Sequence, residues 1–332
     1  MTTFKEIRGT TIEVVSSDPS NPEIGQIWYN SSSGTLKGYQ TVNAWSAGGN
    51  MNTTRRVFGG NGTQTAFLAY GGYDGTANIT SSESYNGSSW TSTPSLTVAV
   101  NDSAGGIGTQ TAALTAGGYI QSPPSAIATS QSFNGSAWTN TPSLNTAREG
   151  LTGGGTGTAA IVYGGWAYPS PVTGATESWN GSSWTTLPAT MNTARWAHGG
   201  AGTQTASLAF GGADTSSVAY NSTESWNGST WTSLNNMNTA RFHLTGAGTQ
   251  TAALAFGGTT NTPAVVATVE SWNGTSWTVG SSLTSAQSQM AGHSNSGTQT
   301  AGIVAGGVNS ANTIIATTQE FTGIATQTIT VS

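Results

Sequence analysis

The chain has 332 residues, only 6% of them charged, and carries a net charge of −5 at pH 7. Its 8 Lys and Arg residues form no cluster, which excludes the basic surface that nucleic-acid binding requires. The absence of Cys excludes disulfides, thiol catalysis and Cys-based metal sites. We find no apolar stretch of about 18 residues and no signal-peptide pattern at the start, so we expect neither membrane insertion nor secretion.

Residues 1–43 are predicted to be an N-terminal attachment segment. A short strand is expected at Thr11–Val15, a proline-containing turn at Asp18–Pro22 and a hairpin from Ile27 to Tyr39. The segment contains FKEIRGT at 4–10, DPSNP at 18–22 and GQIWYN at 25–30. These motifs resemble segments of tail-fibre and other virion proteins of tailed bacteriophages. The resemblance implies that this segment docks on other virion proteins or on a neighbouring copy of the chain.

Residues 44–332 contain an internal repeat, which determines the predicted fold. A Gly-Gly doublet ends an apolar run six times, at Gly71, Gly117, Gly164, Gly211, Gly257 and Gly306 and the glycine after each. The first five doublets are each followed by an aromatic residue, Asn-Gly and a Trp, namely Trp90, Trp138, Trp184, Trp231 and Trp277. A motif of Met or Leu followed by Asn-Thr-Ala-Arg ends at Arg148, Arg195 and Arg241.

Each repeat is predicted to form four short strands. In the fourth repeat we expect them at 195–199, 206–210, 222–226 and 229–233, with the Asn-Gly pair in a two-residue type I′ turn. Four strands in a repeat of 45 to 50 residues are typical of a propeller blade. The Gly-Gly doublet, the aromatic residue and the Trp resemble kelch repeats from about residue 44 to 322. We therefore predict an all-β, six-bladed β-propeller with four-stranded blades.

The last repeat lacks the Trp of its outer strand, and the sequence offers two replacements. Trp45 precedes Met51 by the same six positions that separate Trp231 from Met237. The N-terminal extension around Ala44–Ser46 is therefore expected to supply the outer strand of the last blade and to close the ring, with residues 36–39 beside it. The rival is Thr326–Val331, which alternates like a strand.

The repeated Trp residues are predicted to pack between blades, because their strict period suits a core better than a set of sugar platforms. Trp166, Tyr168 and Trp196 break the repeat pattern and are our candidate binding residues, since loops on a rigid scaffold carry function. We expect no catalytic residue, no cofactor and no metal. His198, His243 and His293 have no nearby carboxylate in sequence, and nothing places two acids at a fixed spacing for glycoside hydrolysis.

Arg and Glu also recur in fixed register. Arg55 is equivalent to the three arginines already named, and Val100 and Gln287 take this position in the other two repeats. The recurring acid is Glu83, Glu177, Glu224 or Glu270, and the second repeat has Gln131 in its place. An arginine cluster of this kind is reminiscent of a six-bladed sialidase, but the turn carries Asn where the sialidase motif needs Asp. The register instead predicts interblade ion pairs or hydrogen bonds to backbone carbonyls.

Taken with the N-terminal resemblance, these features predict a non-enzymatic structural protein of a tailed-phage virion, on the tail or fibres and assembled in the bacterial cytoplasm. The expected partners are other virion proteins, further copies of the chain, and a host-surface glycan or receptor. The alternative from another class is a glycan-binding propeller lectin. A third hypothesis, a hydrolase acting on surface sugars, has only the propeller fold in its favour.

Overall fold

The computed structural model describes residues 12–20, 23, 25–291 and 299–328, and within these ranges the regular secondary structure is entirely β. None of the described residues belongs to a helix long and apolar enough to cross a membrane. The chain divides into two compact units, Met1–Ala44 with Thr322–Ser332, and Trp45–Phe321. The division lies one residue from the expected boundary, but residues 322–332 belong to the first unit and not to the second.

The first unit contains β1 (Glu13–Val15), β2 (Ile27–Asn30) and most of β3 (Thr35–Ala47). β2 and β3 form the expected antiparallel hairpin, and β1 pairs with β2 in parallel. The Asp18 carboxylate accepts hydrogen bonds from Trp28 Nε1 at 3.0 Å and from Asn30 Nδ2 at 2.7 Å. Residues 4–10 and residues 21 and 22, which carry part of the virion-like motifs, lie outside the described residues.

The second unit consists of repeated antiparallel sheets, four of which are formed by consecutive strands. Four sheets have four strands each. Their strands are β4 (Gly59–Thr63), β5 (Ala66–Tyr70), β6 (Ser82–Tyr85) and β7 (Trp90–Thr93); β13 (Thr152–Thr156), β14 (Ala159–Tyr163), β15 (Thr176–Trp179) and β16 (Trp184–Leu187); β17 (Gly199–Thr203), β18 (Ala206–Phe210), β19 (Thr223–Trp226) and β20 (Trp231–Leu234); and β21 (Thr245–Gly248), β22 (Ala253–Phe256), β23 (Val269–Trp272) and β24 (Trp277–Val279).

Two further sheets depart from this plan. The second repeat has three strands, β8 (Ala113–Ala116), β11 (Ser130–Phe133) and β12 (Trp138–Thr141), with a separate hairpin of β9 (Tyr119–Gln121) and β10 (Pro124–Ala126). In the last repeat, residues 318–321 of β26 (Thr318–Thr328) lie between β25 (Ala301–Ala305) and the end of β3. There the Trp45 ring packs 5.3 Å from the Phe321 ring, as Trp184 packs 5.3 Å from Trp179.

In the four-stranded repeats, the first strand begins later in the sequence than predicted. In the fourth repeat it is Gly199–Thr203, whereas we expected residues 195–199. Its glycines look like a turn in the sequence, but they are required by close packing. A Cβ on Gly199 would lie 2.3 Å from the Phe210 ring, and one on Gly200 would lie 2.5 Å from Tyr163 Oη in the preceding repeat.

The Asn-Gly turn also differs from the prediction. Trp226 pairs directly with Trp231, which leaves a four-residue loop in place of a two-residue type I′ turn. In this loop Gly228 has a φ of +96°, while the Asn227 side chain accepts hydrogen bonds from the Ser229 and Thr230 amides at 3.0 and 2.9 Å. The Asn is therefore selected for its side-chain carbonyl and not for a left-handed backbone.

The repeated Trp side chains are buried between neighbouring repeats, with 4 to 7% of their surface exposed. Trp231 packs 4.8 Å from the Tyr163 ring of the preceding repeat, and its Nε1 donates to Thr176 Oγ1 at 3.0 Å. Trp277 makes the same contacts with Phe210 and with Thr223 Oγ1. These indoles stabilise the contact between sheets and are not accessible as platforms for a ligand.

The recurring Arg and Glu form buried ion pairs within one repeat, so the interblade alternative is wrong for them. The Nη2–Oε1 distances are 2.7 Å for Arg55–Glu83, 3.0 Å for Arg148–Glu177, 2.5 Å for Arg195–Glu224 and 3.1 Å for Arg241–Glu270. Arg148 Nη1 also donates to the carbonyls of Gly164 and Ala175, at 2.8 and 2.6 Å, which is the backbone bonding that we expected.

Where a repeat lacks the Arg, it also lacks the Glu. The second repeat combines Val100 with Gln131, and the sixth combines Gln287 with Gln319, whose amides hydrogen-bond to each other. The Asn that donates to the Glu carboxylate, such as Asn192, is replaced by Thr97 or Thr284, which donates to the Gln amide. Both charges are therefore absent together, which avoids an unpaired buried charge.

In five of the six repeats, a Gln in the first turn donates hydrogen bonds to the preceding repeat. Gln204 Nε2 donates to Ala160 O at 3.1 Å and Trp179 O at 2.7 Å, and Gln64, Gln110, Gln250 and Gln299 also donate to carbonyls of the preceding repeat. The third repeat has Gly157 at this position, and a Cβ added there would have Ala112 O, 4.0 Å away, as its nearest neighbour. This contact between repeats is therefore missing at one place.

Candidate functional site

Six backbone amides of the second unit form a continuous series of hydrogen bonds that returns to its start. The residues, one from each repeat, are Val57, Asp102, Gly150, Ala197, His243 and Gln289. Each amide donates to the carbonyl of the preceding residue in the series, at 2.6 to 3.0 Å, and Val57 donates to Gln289. All six lie in the left-handed region, with φ between +47° and +60°. We call this feature the hydrogen-bonded ring.

The ring residues lie two positions after the repeated Arg position. Left-handed backbone is unfavourable for side chains other than Gly and Asn, and especially for a β-branched residue such as Val57. Five of the six positions nevertheless carry a side chain. The hydrogen bonds hold this conformation because each one satisfies both a backbone amide and a backbone carbonyl.

A cavity of about 230 Å³ is lined by ring residues and by the residues that precede them. We call it the mouth cavity. Its polar and aromatic lining residues are Arg56, Tyr73, Asn101, Asp102, Tyr119, Gln121, Glu149, Trp196, His243 and Gln289. Residues that follow the ring positions, including Phe58 and His198, line a smaller space of about 50 Å³. The ring residues therefore border two cavities, and the one with polar and aromatic walls has the larger volume.

An arc of aromatic rings borders the mouth cavity. Tyr119 contacts Tyr168 with ring centroids 6.3 Å apart, Tyr168 contacts Trp166 at 5.6 Å, and Trp166 contacts Trp196 at 5.2 Å. Trp196 in turn contacts the His243 ring at 5.1 Å. Tyr168 is 41% exposed, so the arc runs from the cavity wall to an accessible edge.

Two carboxyl groups, Asp102 and Glu149, line the same cavity. Burial raises the pKa of Asp102 to about 7, although the positive charge of Arg56 opposes this shift. Burial raises the pKa of Glu149 to about 8, and the negative charge of Asp102 adds to the effect. Two acids that are distant in sequence therefore line one cavity, which the sequence patterns do not indicate.

Arg56 and His243 complete the charged groups of the cavity. The Arg56 guanidinium lies 5.2 Å from the centre of the Tyr73 ring and donates to Gln289 Oε1 at 3.3 Å. Burial lowers the pKa of His243 to about 4, and the charge of Arg56 lowers it further, so this imidazole is neutral at pH 7. No group of three or more His, Asp or Glu side chains among the described residues is arranged to hold a metal ion.

The structure brings the three predicted binding residues, Trp166, Tyr168 and Trp196, into contact with one another. Trp196 lines the mouth cavity, and its Nε1 donates to Asp214 O at 3.1 Å. His198 lies on the narrow side of the ring against Tyr163, and His293 lies outside the described residues.

Arg56, Asp102, Tyr119 and Glu149 line the cavity but are not among the residues predicted from the sequence. One signal was present in the sequence. The position after the repeated Arg holds Arg56, Asn101, Glu149, Trp196, Phe242 and Ser288, and such variation inside a regular repeat marks a position that is free to carry function.

No family model matches the chain, and no curated protein is similar to it in sequence. Among solved structures, that of YjhT is similar with a TM-score of 0.69, covering 84% of this chain and 99% of the YjhT chain. The two sequences are 9% identical, so the similarity shows a shared fold alone. Together with the repeated antiparallel sheets, it establishes an all-β, propeller-like architecture.

Proposed function

We propose that the second unit is a closed six-bladed propeller of kelch-like repeats that serves as a non-enzymatic binding module. The six-membered series of backbone hydrogen bonds supports the blade number, since each repeat contributes one residue. The position of Trp45 beside Phe321 supports closure of the ring by the N-terminal strand. Of the rival segment Thr326–Val331, residues 329–331 lie outside the described residues. A ring of sheets leaves only short protected edges, which suits a rigid scaffold.

The ligand of this module is a glycan, bound at the mouth cavity. The observation that carries this proposal is the convergence of the aromatic arc with Arg56, Glu149 and Gln289 on one cavity of about 230 Å³. A sugar ring presents apolar C–H faces that stack on aromatic side chains and hydroxyl groups that need hydrogen-bond partners. The repeated Trp residues are not part of this site, because they are buried between sheets.

The setting that we propose is the virion of a tailed bacteriophage. The motifs of the N-terminal segment support it, and the segment attaches the propeller to other virion proteins on the tail or fibres. The propeller then presents its mouth cavity to the host surface. Deleting residues 1–30 is expected to remove the protein from purified particles, as measured by mass spectrometry. Unchanged incorporation would contradict the attachment role.

Glycan binding is tested on an array of bacterial surface glycans with three proteins: the unmodified chain, Trp196→Ala and Tyr29→Ala. Tyr29 is an exposed aromatic residue of the first unit and provides the matched control. We expect Trp196→Ala to weaken binding by at least about tenfold, as for other aromatic anchors, and Tyr29→Ala to leave it unchanged. No binding above background, or equal binding by all three proteins, would contradict the proposal. Two carboxyl groups lie in the cavity, and glycoside hydrolysis uses a pair of such groups. Release of reducing sugar from a bound glycan would therefore contradict the proposal that the module is non-enzymatic.

A further inference from the structure

Glu149 is the most unusual side chain of the mouth cavity. It is only 8% exposed, yet its carboxyl group accepts no hydrogen bond from any described residue. The buried Glu residues of the repeats differ in this respect, because Glu177 accepts bonds from the Asn145 amide and from Arg148. The Glu149 side chain borders the mouth cavity, so a ligand in the cavity can supply the hydrogen bonds and the charge that the described residues do not.

The charges around Glu149 do not neutralise it. The charged group that acts on it is Asp102, which has the same sign and raises the pKa of Glu149 further. The positive charge of Arg56 acts on Asp102 and His243 instead, and its guanidinium is held by Tyr73 and Gln289. The part of the cavity around Glu149 is therefore suited to a positive charge brought by a ligand.

The aromatic residues around Glu149 favour the same kind of ligand. Tyr119 and Trp196 line the cavity together with Glu149, and Trp166 pairs with Glu149 through two backbone hydrogen bonds of 3.0 and 2.7 Å. Burial raises the pKa of Tyr119, and the charge of Glu149 adds to this effect, which indicates that the two side chains are electrostatic neighbours. Aromatic faces attract organic cations, most strongly when the cation is removed from water.

We propose that the mouth cavity binds an organic ammonium group, with Glu149 as its counter-ion and Tyr119 and Trp196 as its aromatic walls. This inference rests on the proposed glycan-binding function and names the ligand within it, a glycan whose sugar carries a free amine. A choline headgroup on a surface polymer has the same chemistry, and the experiment distinguishes the two sources.

Binding of a cation is linked to proton release. With a pKa of about 8, Glu149 is mostly protonated at pH 7, whereas an ammonium ligand favours the ionised form. Affinity for a permanent cation therefore rises about tenfold per pH unit below pH 8 and levels off above it. Asp102, with a pKa of about 7, acts in the same direction. His243, with a pKa of about 4, stays neutral over this range and does not reverse the trend.

The test is titration calorimetry with choline chloride, glucosamine and N-acetylglucosamine from pH 6 to pH 9. We compare the full-length chain, Glu149→Gln and, as the matched control, Glu13→Gln on the exposed strand β1. We expect choline or glucosamine to bind more tightly at pH 8 than at pH 6, with release of protons. Glu149→Gln should weaken binding at least tenfold and reduce the pH dependence to the part that Asp102 contributes, while Glu13→Gln should change neither. The pH profile and proton release of the unmodified chain provide the test even if Glu149→Gln fails to fold.

The outcomes separate the inference from the proposed function. Binding of glucosamine alone supports an amino sugar, and binding of choline alone supports the ammonium site but contradicts a glycan as the ligand. Equal binding of glucosamine and N-acetylglucosamine without choline binding overturns the inference and leaves glycan binding intact. Absence of binding by all three probes, together with an empty glycan array, overturns both.

Discussion

The paired loss of Arg and Glu in two repeats leads to a strong prediction about stability. Arg195 and Glu224 are 0% and 1% exposed and form an ion pair of 2.5 Å. Glu224→Gln leaves the Arg195 charge buried without its partner, and removing one partner of a buried pair costs about 3–5 kcal/mol. That is a large fraction of the roughly 5–15 kcal/mol by which a folded domain is stable.

Copying the sixth repeat should restore most of this loss. Arg195→Gln with Glu224→Gln reproduces the Gln287–Gln319 arrangement, and Asn192→Thr completes the copy. Removing both charges avoids the uncompensated charge, so we expect the double variant to be more stable than Glu224→Gln alone by at least about 2 kcal/mol.

The assay is equilibrium urea unfolding followed by Trp fluorescence, arranged as a double-mutant cycle. Lys37→Gln provides a control, because the Lys37 and Asp18 side chains of this pair are 21% and 38% exposed and its loss should change stability far less. The prediction is contradicted if Glu224→Gln lowers the free energy of unfolding by less than about 1 kcal/mol, or if the effects of the two single substitutions add to that of the double variant.

Three further predictions concern glycine and pH. Gly157→Gln supplies the missing contact with the preceding repeat and should raise the free energy of unfolding by about 1 kcal/mol. Urea unfolding measures this change, and a decrease would show that the position cannot accommodate a Gln. Gly202→Ala should destabilise the protein by at least about 2 kcal/mol, because Gly202 has a φ of +106° and an added Cβ would lie 2.1 Å from Ala206 O. Equal stability of Gly202→Ala and Gly157→Ala would contradict this prediction. Because burial raises the pKa of Glu149 to about 8, ionisation destabilises the fold, and stability should fall as pH rises from about 6.5 to 8. Below this range the lowered pKa of His243 acts in the opposite direction. Glu149→Gln should flatten that dependence in urea unfolding, and an unchanged slope would assign it to other groups.

The repeat pattern was sufficient to predict the all-β class and the strands that carry large side chains. The strand Ala206–Phe210 has the bounds that were predicted, because an apolar run that ends in Gly-Gly in a repeat of this length is typical of a buried strand. The inner strand was misplaced because Gly199 and its neighbours are selected by the rings packed against them, a requirement that local sequence does not reveal. The turn type was wrong because Asn227 acts through its side chain.

The candidate site was only partly predictable, since it is assembled from residues of different repeats. Trp166, Tyr168 and Trp196 were found because large aromatic side chains outside the pattern are conspicuous. Asp102 and Glu149 are 47 positions apart in sequence and meet only because each lies at or beside the hydrogen-bonded ring. Their raised pKa values arise from burial, which sequence patterns at a loop position do not encode.

The hydrogen-bonded ring is built from main-chain atoms alone, and this has a consequence for how the protein can diversify. Valine, aspartate, glycine, alanine, histidine and glutamine occupy its six positions with the same geometry. The identity of each residue is thus uncoupled from the interactions that maintain the architecture. A library randomised at these positions should yield many folded variants with altered ligand preference, so that a lineage could change its target without rebuilding its framework.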